Sequence, residues 1–157
     1  EYLPGAVADG NNLEARTQML VASTLGATAF QRGLGAMHAL SHPLGALYNA
    51  HHGTLNAVLM PYVLVENRKV IEESISRLAR SIGIDDPGFS SFLDWVLQLR
   101  ETLDIPQNLE ALGIDDAQAE RVGMMAEADP SSGTNPILFS ADQYQSLFLK
   151  ALKGNLG

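Results

Sequence analysis

Apolar residues recur at three- and four-residue spacing along almost the whole chain, and no apolar–polar alternation is long enough to build a sheet. That periodicity restricts the fold to helices. One helix is expected from Leu13 to about Phe30, core-facing through Met19, Ala22, Leu25 and Ala29, with Asn11 as its cap and Glu14 reaching back. A second apolar segment runs from Ala36 to about Asn49, and a third from near Gly53 through Val58, Leu59, Val63 and Leu64. Lys69 to Ile82 is amphipathic, with Ile71, Ile75, Leu78 and Ile82 expected as a core stripe. The turn Asp85-Asp86-Pro87-Gly88 precedes a helix capped by Ser90 or Ser91, carrying Phe92, Trp95, Val96 and Leu99, and ended by Ile105-Pro106. Asp115 with Gln118, and Ser140 with Gln143, announce short helices at about 116–128 and 141–153. Residues 129–136 read as a loop. The fold class is all-α: a multi-helix bundle forming one domain over 1–157.

Composition narrows the function. Of 157 residues, 46% are hydrophobic, enough for a core, while 10 Lys+Arg against 18 Asp+Glu give a net charge of -8. That balance disfavours a nucleic-acid backbone or an anionic membrane surface as the partner, since both call for basic patches. No apolar run approaches the roughly 18 residues of a membrane span. There is no cysteine, so disulfide scaffolds, thiolate zinc sites and cysteine nucleophiles are excluded. No secretory signal is visible, so a cytoplasmic location is expected. The opening Glu1-Tyr2-Leu3-Pro4 reads like the middle of a longer protein.

All four histidines, His38, His42, His51 and His52, fall within residues 38–52. His38 and His42 are four apart and share one helix face; His52 follows a break and opens the next helix, from which it can fold back toward them. A metalloprotease HExxH motif is excluded, because Ala39 stands where the glutamate would be. Two or three neutral imidazoles, a carboxylate from elsewhere and an open position describe a catalytic ferrous or zinc site. Pro43 either interrupts a helix or starts a new one.

Gly33-Leu34-Gly35-Ala36-Met37-His38-Ala39-Leu40-Ser41-His42-Pro43-Leu44-Gly45-Ala46, then His51-His52-Gly53, Asn56 and Pro61, resembles the signature of the iron-containing (group III) alcohol dehydrogenases. Leu3-Pro4, Ala8-Asp9-Gly10 and Leu13-Glu14-Ala15-Arg16 before it, and Asp104-Ile105-Pro106, Leu112-Gly113-Ile114 and Gly133-Thr134-Asn135-Pro136 after it, extend the likeness over essentially the whole chain. The resemblance implies the C-terminal helical domain of a two-domain enzyme. Such an enzyme interconverts an alcohol and an aldehyde or ketone with NAD or NADP, around ferrous iron or zinc. Carried over by position, His38 and His52 are metal ligands, and His42 sits by the nicotinamide and substrate as a proton relay.

The family's other two ligands, an Asp and a His four residues apart, have no counterpart. Four residues before the histidines stand Leu34, His38, Leu47 and Tyr48, and the missing helix is expected upstream of Glu1, with the dinucleotide-binding domain. His51 stands where many relatives have Pro and is expected at the surface or behind the ligands. The Phe30–Gly33 turn looks a residue shorter than in some relatives, and Ile137 replaces a frequent arginine. A homo-oligomer is implied. Other readings of the same residues are a zinc glycerol-dehydrogenase-like or dehydroquinate-synthase-like domain, or a non-catalytic helical module that binds a partner protein.

Overall fold

A computed structural model describes all 157 residues as seven α-helices with no strand: α1 Leu3–Ala8, α2 Leu13–Ala29, α3 Gly35–Tyr48, α4 His52–Ser81, α5 Phe89–Thr102, α6 Ala119–Ala128 and α7 Ala141–Lys153. The all-α expectation holds. Two compact units divide the chain, residues 1–33 and 34–157. No helix is long and apolar enough to cross a membrane.

The first unit is α1 and α2. The cap of α2 is Asn12, one residue later than expected: its side-chain oxygen accepts from the Ala15 N–H at 3.0 Å. The expectation that α2 faces a core is not met, because Ala15 is its only buried residue, while Leu13, Leu20 and Leu25 are exposed. Within this unit only the six-residue α1 is available to cover a seventeen-residue helix.

The second unit is built around α3. Its small and branched face, Ala36, Ala39, Leu40 and Leu44, packs on α4 and α6 in one core with Leu55, Val58, Leu59 and Tyr62 of α4 and Val122 and Ala126 of α6. Helix α7 adds Tyr144, Leu147, Phe148 and Ala151 to that core by packing on α6 and α4. Small residues let these helices approach closely. At Gly123 of α6 an added Cβ would stand 2.5 Å from the Ala141 carbonyl oxygen at the start of α7. The two apolar segments expected at 53–64 and 69–82 form one helix, α4, with Pro61 inside it. Arg100 of α5, 4% exposed, donates to the Val58 carbonyl in the turn before Pro61, where the proline ring disturbs the helical ladder. The same guanidinium holds the Gln107 carbonyl and side-chain oxygens.

The expected stripe of α4 is core only in part. Ile75 packs with Ala79, Phe92 and Val96 in a smaller cluster, whereas Leu78 and Ile82 are exposed. The buried line follows Ile75 and Ala79 at four-residue spacing, which rotates Leu78 outward. Gly88, not a serine, begins α5, and its N–H donates to Ser91 Oγ. Ser140 and Gln143 form the expected reciprocal cap of α7. At α6, Asp115 closes a turn through the Ala117 N–H, and Gln118 takes the cap position.

Candidate metal centre

Pro43 lies inside α3 and not in its first turn, so the helix forgoes one backbone hydrogen bond there. The helix ends at Asn49, whose left-handed backbone (φ 52°) is one that asparagine tolerates. Ala50 and His51 then reverse the chain. His51 caps α4: its Nδ1 accepts from the Thr54 N–H, and the absence of a side chain at Gly53 leaves room for the ring. The residue is exposed, the first of the two placements expected of it, and its cap to α4 was not foreseen. The reversal places His52, the first residue of α4, beside the histidines of α3.

His38, His42 and His52 form a triangle of rings, with centroids 5.2 Å apart for His38–His52, 5.5 Å for His42–His52 and 5.8 Å for His38–His42. His51 stays outside it. The hydrogen bonds of the triangle assign its tautomers. Ser41 Oγ donates to the His38 carbonyl, which leaves it an acceptor for His52 Nδ1–H at 3.3 Å. His38 bonds the Leu34 backbone. Nε2 of His38 and of His52 both turn to one atom, Asn56 Nδ2, at 3.2 and 3.1 Å. Two imidazole lone pairs thus converge from two helices.

Burial, and after it the neighbouring His52 and His42 rings, hold the His38 imidazole below its ordinary pKa, outweighing the Leu34 hydrogen bond and the Asp129 charge. A neutral ring is the form that binds a metal. His42 differs. Its Nδ1 is 2.8 Å from Asp129 Oδ2, and the other carboxylate oxygen accepts from the Ser131 N–H. Burial alone would raise the Asp129 pKa, but the hydrogen bonds from His42 and Ser131 bring it below the usual value. With Nδ1–H given to Asp129, His42 keeps Nε2 as an acceptor on its exposed side.

The loop 129–136 does more than connect. Thr134 Oγ1 accepts from the Leu34 and Gly35 N–H groups, and Asn135 Oδ1 accepts from Ala36 N–H. Asn67 of α4 and Asn135 exchange amide hydrogen bonds of 3.1 and 2.9 Å in the interior. The free N–H groups of the first turn of α3 are therefore satisfied from far along the chain. Asp129 was not singled out in the sequence, nor was Ser41; an aspartate before a proline in a loop carries no spacing signal. Asn56, Thr134 and Asn135 were noticed only through the resemblance.

These residues could hold part of a metal site. His38 and His52 fit it by the convergence of their Nε2 atoms, and His38 also by its lowered pKa, yet no three His, Asp or Glu side chains of the chain assemble as a complete set.

The description of the Fe-containing alcohol dehydrogenase family, C-terminal part, matches residues 1–152. The chain belongs to that family. It is 35% identical to 4-hydroxybutyrate dehydrogenase of Cupriavidus necator over 160 residues, covering 96% of this chain and 41% of the relative. It is 33% identical to alcohol dehydrogenase 4 of Saccharomyces cerevisiae, covering 96% and 40%. A crystal structure of 1,3-propanediol oxidoreductase superposes with a TM-score of 0.91 at 32% identity, covering 96% of this chain and 41% of that one. The chain therefore spans about two-fifths of the length of the family members it matches.

Proposed function

We propose that these residues form part of a metal-dependent alcohol dehydrogenase that interconverts a small alcohol and its aldehyde or ketone with NAD or NADP. The observation that carries this reading is the convergence of His38 Nε2 and His52 Nε2 on one point. The two rings would hold a divalent ion, ferrous iron or zinc, both of which accept imidazole with carboxylate. When bound, that ion supplies Lewis acidity toward the substrate oxygen, and the nicotinamide supplies the hydride chemistry. The chain's own work is to keep His38 neutral, to offer Nδ1-side partners at the Leu34 backbone and Ser41, and to aim both rings. His42 takes or returns the hydroxyl proton at Nε2, while Asp129 orients the ring through Nδ1.

The remaining ligands and the dinucleotide site belong to polypeptide other than these 157 residues. Two facts support this: the chain covers 41% of its 4-hydroxybutyrate dehydrogenase relative, and α2 exposes Leu13, Leu20, Val21 and Leu25. An apolar face of that kind is ordinarily covered in the working protein. The 157-residue chain alone is then expected to bind iron or zinc weakly and to lack dehydrogenase activity.

Metal analysis of the complete enzyme, purified without air, tests the reading. His38→Ala and His52→Ala should each lose the ion, and His42→Ala should keep it while losing activity. Full metal content in both ligand variants would overturn it.

A further inference from the structure

Asn56 lies one helical turn beyond His52 on α4, so its side chain rises on the same face, over the gap between His52 and His38. Its amide nitrogen is 3.1 Å from one Nε2 and 3.2 Å from the other. A primary amide carries two N–H donors, and a neutral imidazole protonated at Nδ1 offers one acceptor, at Nε2. Two hydrogens therefore meet two lone pairs. The oxygen of the same amide is buried and makes no hydrogen bond, a loss that the opposite orientation would avoid only by protonating both rings at Nε2. His52 Nδ1 would then need a donor, and the nearby Ser41 hydroxyl already donates to the His38 carbonyl.

We infer that Asn56 is a positioning residue that clamps the metal-free pair. Its amide hydrogens hold His38 and His52 with Nε2 unprotonated and convergent, and they are displaced when a divalent ion takes the same lone pairs. The inference rests on the reading of His38 and His52 as metal ligands. It adds that the chain keeps the site in its metal-ready tautomers before any ion arrives, and that filling the site requires Asn56 to let go.

The test is nitrogen-15 NMR of the histidine rings and asparagine amides in the full chain, at a pH where the imidazoles are neutral. Both His38 and His52 should show the Nδ1–H form. In Asn56→Ala, His52, whose Nδ1 has only the 3.3 Å contact to Ser41, should move toward the Nε2–H form that free imidazole favours. The Leu34 backbone should retain more of the Nδ1–H form at His38. In Asn56→Asp, which offers only acceptors, both rings should go over to the Nε2–H form. His51, whose Nδ1 accepts from Thr54, should stay unchanged as the internal control. Adding zinc ion should then move both rings and the Asn56 amide signals together.

Tautomers that are the same in all three proteins would overturn the clamp, and so would zinc binding that leaves the Asn56 amide unmoved. If the variants shift the tautomers but zinc in large excess, enough to fill a weak two-ligand site, reaches neither ring, the clamp stands and the metal assignment falls. The two failures are thus distinguishable.

Discussion

Asn135 Oδ1 accepts the backbone N–H of Ala36 at 3.0 Å, across 99 positions of sequence and two residues ahead of His38. It caps α3 from outside, and Asn67 locks it there. In Asn135→Ala the cap is lost, at about 0.5–2 kcal/mol, and the buried Asn67 amide is left without its partner, at about 1–3 kcal/mol. Chemical denaturation should show a destabilisation of about 1.5–5 kcal/mol. Hydrogen exchange should rise first in the opening turn of α3.

Gly123 is where α6 and α7 come closest. A Cβ there meets backbone, the Ala141 carbonyl, which cannot swing aside like a side chain. Gly123→Ala is expected to destabilise by about 1–3 kcal/mol, although alanine is the better helix former. A thermal melt checks the sign: a rise in Tm would contradict the packing described.

Arg100 is buried without a carboxylate, spending its charge on the carbonyls of Val58 and Gln107. Burial accordingly lowers its pKa. Arg100→Ala removes the donors and leaves a cavity, so a loss of about 3 kcal/mol or more is expected on urea unfolding. Arg100→Lys should recover little, since an ammonium lacks the planar fork that reaches two acceptors.

The pair His42–Asp129 has a pH signature. The folded-state pKa of Asp129 is lowered, so its contribution is present above the ordinary carboxylate value near 4 and is lost as the pH falls below that, through the folded value. Asp129→Asn should therefore be less stable than the parent at neutral pH, by about 1–3 kcal/mol, with the difference shrinking on acidification below about pH 4. On the proposed relay role of His42, the same substitution in the complete enzyme should lower kcat by about tenfold or more while KM changes little.

What the sequence made legible was local. The 3.6-residue period and the Ser140–Gln143 cap marked helices, and the spacing of His38, His42 and His52 marked the cluster, because one turn of helix fixes where neighbours point. Burial was less legible. Leu25 looked like core because it is apolar and well spaced, yet periodicity says which residues share a face and not what lies against that face. Cap positions slipped, as at Asn12 and Gly88, where several polar residues competed within a single turn. The contacts of Asp129, Thr134 and Asn135 were out of reach, since their partners lie 87, 100 and 99 positions away, although the resemblance had marked Thr134 and Asn135 themselves.

The central claim is that His38 and His52 share one ion. Anomalous X-ray diffraction at the zinc edge, on crystals of the chain soaked in excess zinc, tests it directly. The account predicts a single peak about 2.0–2.1 Å from both Nε2 atoms. A peak bound to His42 or His51 in its place, or separate peaks on His38 and His52, would contradict it.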